Sequence, residues 1–201
     1  MTGWLGALVL SYLAGSIPTA YLVVKRLKRI DIRTVGSGNV GATNVTRTAG
    51  KGAGAAVFAV DVAKGLAATL LIAPRLIDPA LPEARIACGL AAVIGHVFPV
   101  FLGFRGGKGV AATIGTLIGY APALALLCGG VWLAIFLLSR YVSLASITAL
   151  AVLPPALVAA HRSLPEVLLG AALSVLVIAK HQSNIQRLVQ GTEHRFSRPS
   201  R

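Results

Sequence analysis

The sequence predicts an all-α protein: a single polytopic membrane domain over residues 1–201, with about seven transmembrane helices, the N-terminus outside and the C-terminus in the cytoplasm. Three observations predict it. Only 12% of residues are charged and 56% are hydrophobic, where a soluble domain carries roughly 25% charged residues. The apolar residues fall in runs near the roughly 20 residues that cross a bilayer. The basic residues, which give a net charge of +13, sit in the short connections between those runs.

The elements follow in order. The first span covers 5–24, and its Lys/Arg cluster (Lys25, Arg26, Lys28, Arg29) comes after the apolar run. A cleaved signal carries its positive charge before the apolar run, so this one reads as retained. Spans follow at 52–73 and 85–102. The region 110–138 is either one long tilted helix or two short ones, and Gly119-Tyr-Ala-Pro122 favours a break, because proline interrupts helices and restricts the residue before it. The last two spans are 144–160 and 164–179.

Charge bias chooses between six spans and seven. With seven, Lys25, Arg26, Lys28, Arg29, Arg33, Arg47, Lys51, Arg105, Lys108, Arg140, Lys180, Arg187, Arg195, Arg198 and Arg201 all face the cytoplasm. Arg75, Arg85 and Arg162 face outside, and Lys64 lies within a span. With six, Arg140 and the whole basic tail would be outside. The excess of cytoplasmic Lys/Arg favours seven. Several spans are short, so tilt or local bilayer thinning is expected. A basic chain often binds nucleic acid, but charge confined to loops between apolar runs fits anionic headgroups and anionic substrates instead. No nucleic-acid partner is expected.

This topology puts four polar stretches on one face. The first, GSGNVGATNVTR at 36–47, contains Gly36, Ser37, Gly38, Asn39, Gly41, Thr43, Asn44 and Arg47. Glycines at positive φ let consecutive N–H groups converge on an anion, and Arg47 can grip phosphate in bidentate fashion. The alternative is a flexible linker, which would be monotonously Gly/Ser. The second, GFRGGKGV at 103–110, carries Gly106, Gly107, Lys108 and Gly109. It is no nucleotide loop, because the GxxxxGK[ST] spacing and its Mg²⁺-binding hydroxyl are missing. The bland reading is an interfacial turn with a snorkelling lysine.

In the third stretch, Ser143 and Ser146 begin a span behind Arg140, where serine is an ordinary N-cap. In the fourth, His181 and Asn184 close the last span, on one helix face if the helix continues. Histidine suits proton transfer near neutral pH, although a His also pairs well with a helix C-terminal dipole. Asp61 and Lys64, three residues apart inside a span, read as an internal ion pair rather than a relay. His96 reads as a buried histidine bonding a neighbouring helix. Cys88 and Cys128 read as small buried hydrophobes. No His/Cys/Asp/Glu grouping has metal-ligand spacing, so no metal and no cofactor are expected.

Together these blocks resemble the bacterial acyl-phosphate:glycerol-3-phosphate acyltransferases of the PlsY type. The resemblance rests on GSGNVGATNVTR, GHVFPVFLGFRGGKG at 95–109, RYVSLAS at 140–146, KHQSNIQRLVQGTEHRF at 180–196 and DVAKG at 61–65. It implies an enzyme of the bacterial cytoplasmic (inner) membrane, with its site on the cytoplasmic face. It further implies transfer of a fatty acyl group from acyl phosphate to the 1-position of glycerol 3-phosphate, giving lysophosphatidic acid and phosphate. Ser37 and Arg47 match the serine and arginine of the family's first motif, Lys108 the lysine of the second, and His181 and Asn184 the pair of the third. Ser143 and Ser146 match the serines before the sixth span, and Glu193 a structural glutamate. Val40 stands where relatives often have a small residue or proline. The partners implied are the two substrates and membrane lipid, and a monomer is expected. The HxxxxD pattern of acyl-CoA-dependent enzymes is absent, which fits an acyl-phosphate donor. The rival from another class, an anion or phosphate-ester transporter, would show inverted repeats or helices broken at the membrane midplane. No convincing internal repeat is seen.

Overall fold

The computed structural model describes residues 2–78 and 81–196, and every regular element among them is helical. Arg198 and Arg201, counted above on the inner side, lie outside the described residues. The chain forms two compact units, 1–120 and 121–201.

In the first unit, α1 (Thr2–Ser16) and α2 (Thr19–Lys28) together make one membrane-length segment. It is broken at Ile17-Pro18, where the expected single helix loses a backbone donor. A 3₁₀ turn at Ile32–Thr34 leads to the short α3 (Ala42–Ala49). Next, α4 (Lys51–Ala67) runs through a π-helical turn, Ala68–Ile72, into α5 (Ala73–Leu76). Then come α6 (Pro82–Val97), a 3₁₀ turn at Val100–Leu102 and α7 (Val110–Tyr120).

Small residues hold this unit together. α1 packs on α6, and α4 on α7. A Cβ added to Gly65 of α4 would run into the backbone of α7 at Ala112 and Thr116, and one added to Gly115 of α7 would strike Val62 of α4. Such close backbone approach is how helices associate where lipid gives no hydrophobic drive. α7 is 11 residues long, about 16 Å at 1.5 Å per residue, roughly half the bilayer core. Its Ala112, Thr113, Gly115, Thr116 and Leu117 are buried.

The second unit holds α8 (Pro122–Ser139), α9 (Val142–Ala159), α10 (Leu164–Ala179) and α11 (Gln182–Val189), with α9 packed on the other three. The break expected near residues 119–122 is there: α7 ends at Tyr120 and α8 starts at Pro122. α10 and α11 are bent by 58°, so the last apolar helix does not continue through His181. A capping box starts α10: the Ser163 N–H donates to Glu166 Oε2 (2.8 Å), and the Ser163 side chain accepts from the backbone of Glu166. Glu166 is therefore occupied in starting a helix. Large apolar side chains point outward, with Leu126 78% and Leu138 85% exposed, as a lipid-facing surface requires.

Among the described residues, five helical segments are long and apolar enough to cross a membrane: 2–28, 51–76, 82–102, 122–139 and 142–159. The bent pair α10–α11 makes a sixth if taken as one span.

Candidate active site

The first polar stretch is not a linker. Only 36–41 is loop; Ala42–Ala49 is helix, so Thr43, Asn44 and Arg47 sit on α3. Val40 and Val45 are buried with Ala20 and Val24 of α2, Ile32 and Val57. Burying each of these valines and Ile32 contributes about 1.5–3 kcal/mol, which seats the loop on α2 and α4. Inside the loop stands Asn44, 1% exposed. Its Oδ1 accepts from the Ser37 N–H (3.0 Å), and its Nδ2 donates to the carbonyls of Val35 (3.0 Å), Asn39 (3.1 Å) and Ile32 (3.3 Å).

Asn44, expected among the substrate-binding residues, therefore spends its amide on bracing the loop, since a small polar side chain serves its own backbone as readily as a ligand. Gly36 (φ 59°) and Gly38 (φ 68°) take left-handed turns on either side of Ser37. A Cβ on Gly36 would strike Asn44 Oδ1, and one on Gly41 would press on Asn39 Nδ2. Ser37 is exposed at the turn, and Arg47 is exposed in the last turn of α3. Upstream, Asp31 caps the 3₁₀ turn and accepts from Arg33 Nη2 (2.7 Å), while the Arg33 guanidinium lies over Tyr21. The side-chain hydrogen bonds from Arg33, with its backbone N–H, hold the Asp31 carboxyl below its ordinary value.

The second stretch folds back on the end of α6. The Gly106 N–H donates to Val97 O and the Gly107 N–H to His96 O, both at 3.1 Å. A Cβ on Gly107 would meet the His96 ring and the Val40 carbonyl, so the two glycine-rich stretches touch at Gly107 and Val40. Half-buried Lys108 and Gly109 (φ 90°) then lead directly into the first turn of α7, where the Thr113 N–H donates to Gly109 O (2.9 Å).

In the second unit, Glu193 gathers the polar residues. Its Oε1 accepts from Ser143 Oγ (2.7 Å) and Asn184 Nδ2 (2.6 Å), and its Oε2 from Arg187 Nε (2.7 Å). Burial pushes the Glu193 carboxyl up, but the hydrogen bonds from Ser143, Asn184 and Arg187, with the Arg187 charge, outweigh it and hold the carboxyl below its ordinary value. Ser146, 1% exposed, donates to Val142 O (2.8 Å) and accepts from Trp132 Nε1 (3.1 Å). It thus ties α9 to α8.

His181 is 3% exposed. Its Nδ1 lies 2.8 Å from Val177 O. A carbonyl only accepts, so Nδ1 carries a proton, and in the neutral ring the lone pair is on Nε2. His181 and Asn184 remain one turn apart, with the Asn184 N–H on His181 O (2.8 Å), although they sit at the start of α11 and not at the end of one long helix. The C-terminal segment returns to the α8–α9 turn: the Phe196 N–H donates to Arg140 O (2.9 Å), and Arg195 Nε to Tyr141 Oη (2.9 Å).

Sequence reasoning missed the contact of His96 with the second stretch and the part played by Arg187. Arg187 stands three residues after Asn184 on the same face of α11, and that spacing was the available signal. Nothing in local sequence links His96 to Gly107. Among the described residues no group of three His, Cys, Asp or Glu could hold a metal ion.

This arrangement matches known proteins along most of its length. The sequence model for glycerol-3-phosphate acyltransferases fits residues 5–191. The chain is 46% identical over 192 residues to a glycerol-3-phosphate acyltransferase of Mesorhizobium japonicum, covering 95% of each chain. It is 47% identical to glycerol-3-phosphate acyltransferase 2 of Moorella thermoacetica, covering 98% of this chain and all of the other. Two crystal structures of PlsY (YgiH), an integral membrane glycerol 3-phosphate acyltransferase, superpose over 96% of this chain. The glycerol 3-phosphate form has a TM-score of 0.89 at 44% identity, and the lysophosphatidic acid form 0.86 at 42%. The chain is thus an integral membrane protein that belongs to the PlsY-type glycerol-3-phosphate acyltransferase family.

Proposed function

We propose that the protein transfers a fatty acyl group from acyl phosphate to the 1-hydroxyl of glycerol 3-phosphate, in a bacterial cytoplasmic membrane, as a seven-span monomer with its N-terminus outside and its chemistry on the cytoplasmic side. The observation that carries this reading is the seated pair of glycine-rich stretches, which place Ser37, Arg47 and Lys108 on a braced scaffold in a chain of this family.

The donor is already activated, because phosphate is a good leaving group. The acyl C–O bond to phosphate breaks, an ester C–O bond to the glycerol oxygen forms, and the hydroxyl proton must go to a base. Ser37, Arg47 and Lys108, carried on the two braced glycine-rich stretches, hold phosphate and the developing oxyanion, so that positioning and fixed donors supply the rate. His181 Nε2 is the protein's candidate base; the leaving phosphate is the alternative acceptor. Asn184 and Ser143 are oriented by Glu193.

The test is purified protein with acyl phosphate and radiolabelled glycerol 3-phosphate. Labelled lysophosphatidic acid with one equivalent of phosphate is expected. No product, with phosphate flux in liposomes, would replace the enzyme by a transporter. His181→Ala should lower kcat by about 10²–10⁴; a fall of less than about tenfold assigns the proton to phosphate.

A further inference from the structure

Three buried polar side chains of the first unit have no place in that chemistry. Asp61, Lys64 and His96 are 2%, 6% and 8% exposed. Lys64 Nζ donates to Asp61 Oδ1 and to the Ile17 carbonyl at the break between α1 and α2, both at 2.6 Å. His96 Nδ1 lies 3.7 Å from Asp61 Oδ1. The other edge of the His96 ring is packed against Gly107, with the Val40 carbonyl beside it, and His96 O holds the Gly107 N–H. Asp61, Lys64, His96, Val40, Pro18 and Gly106 line one narrow cleft, partly open to solvent. One buried cluster therefore touches the break in the first span, the loop that carries Ser37 and the stretch that carries Lys108.

A set of charges inside a membrane protein is costly to bury, and replacing a buried ion pair by apolar groups of equal volume is often neutral or stabilising. Stability alone gives this cluster little reason to be polar. Its polar bonds are directional, running through Asp61 and Lys64 to the Ile17 carbonyl, and the His96 ring carries the cluster to Gly107 beside Val40 by packing. We propose that Asp61, Lys64 and His96 form a positioning unit that sets the spacing of the two glycine-rich stretches, and so where Lys108 stands relative to Ser37, without touching substrate. The proposal rests on the reading of those stretches as phosphate-binding.

The experiment compares wild type, His96→Phe (volume kept, polar link lost), His96→Asn (a side-chain nitrogen kept near Nδ1) and Asp61→Asn. Thermal midpoints in detergent are measured with kcat and KM for acyl phosphate and glycerol 3-phosphate. His96→Phe should melt within a few degrees of wild type yet raise KM for at least one phosphate-bearing substrate by about tenfold or more, a loss of ground-state binding. His96→Asn should recover most of that loss. Unchanged KM values in His96→Phe, or a rise that His96→Asn does not reverse, overturn the proposal. Where His96→Phe does not fold, Asp61→Asn decides by the same KM criterion. Wild type without turnover sinks the acyltransferase reading instead. The unit is then tested by equilibrium binding of glycerol 3-phosphate, which His96→Phe should weaken about tenfold and which, left unweakened, overturns it.

Discussion

Asn44 shows how a motif can be legible while the work of its members is not. The composition of 36–47 leads to the expectation of an anion cradle, with Asn44 among the groups facing the ligand. In the structure its amide ties Ser37 to three carbonyls of the same loop. The sequence could not separate the two uses, because the same short amide meets either demand and the deciding fact is burial. Asn44→Ala strips those partners at once. It should cost about 2–3 kcal/mol, the penalty for buried polar groups left unmet, and lower kcat/KM with it; a thermal melt and steady-state kinetics check both. Glu193 offers a pH test. Its carboxyl is held below the ordinary value in the folded protein, so its contribution is present above the unfolded-state pKa and is lost as pH falls through the folded one. Wild type should lose thermal stability on acidification over that interval, and Glu193→Gln should remove that part of the dependence.

At the level of elements, what the sequence revealed was where helices stop. Proline marked the break at Ala121-Pro122 and ended the ambiguity over 110–138. It also breaks the first span at Ile17-Pro18, which the apolar run disguised: hydropathy measures composition over a window and is blind to one missing donor. The bend after Ala179 carried no proline and was not legible. The glycines inside the spans were counted in the composition, but their function appears only in the packing. Gly115→Leu should overpack the α4–α7 contact and cost about 1–3 kcal/mol, seen as a lower melting midpoint in detergent with the helical circular dichroism unchanged. A midpoint equal to wild type would show that α7 has room the structure does not give it.

For the whole molecule, composition alone gave the class, because few soluble domains carry so little charge. Orientation rests on loop charge. It is checked with cysteines at Thr192 and Arg162 in a chain whose Cys88 and Cys128 are replaced. An impermeant maleimide should label residue 192 only from the cytoplasmic side and residue 162 only from outside; the reverse pattern inverts the topology. The Lys64 bond to Ile17 O has a consequence for inheritance. Restoring a regular helix with Pro18→Ala would draw the Ile17 carbonyl into the backbone ladder, in competition with the ammonium it now serves. A change that ordinarily strengthens a helix should here weaken the protein, and weaken it less in a chain already carrying Asp61→Asn and Lys64→Met. A non-additive cycle in melting midpoints would show it. Proline at 18 and lysine at 64, 46 residues apart in the chain, are then not free to drift separately: a descendant lineage that loses one is under pressure to lose the other.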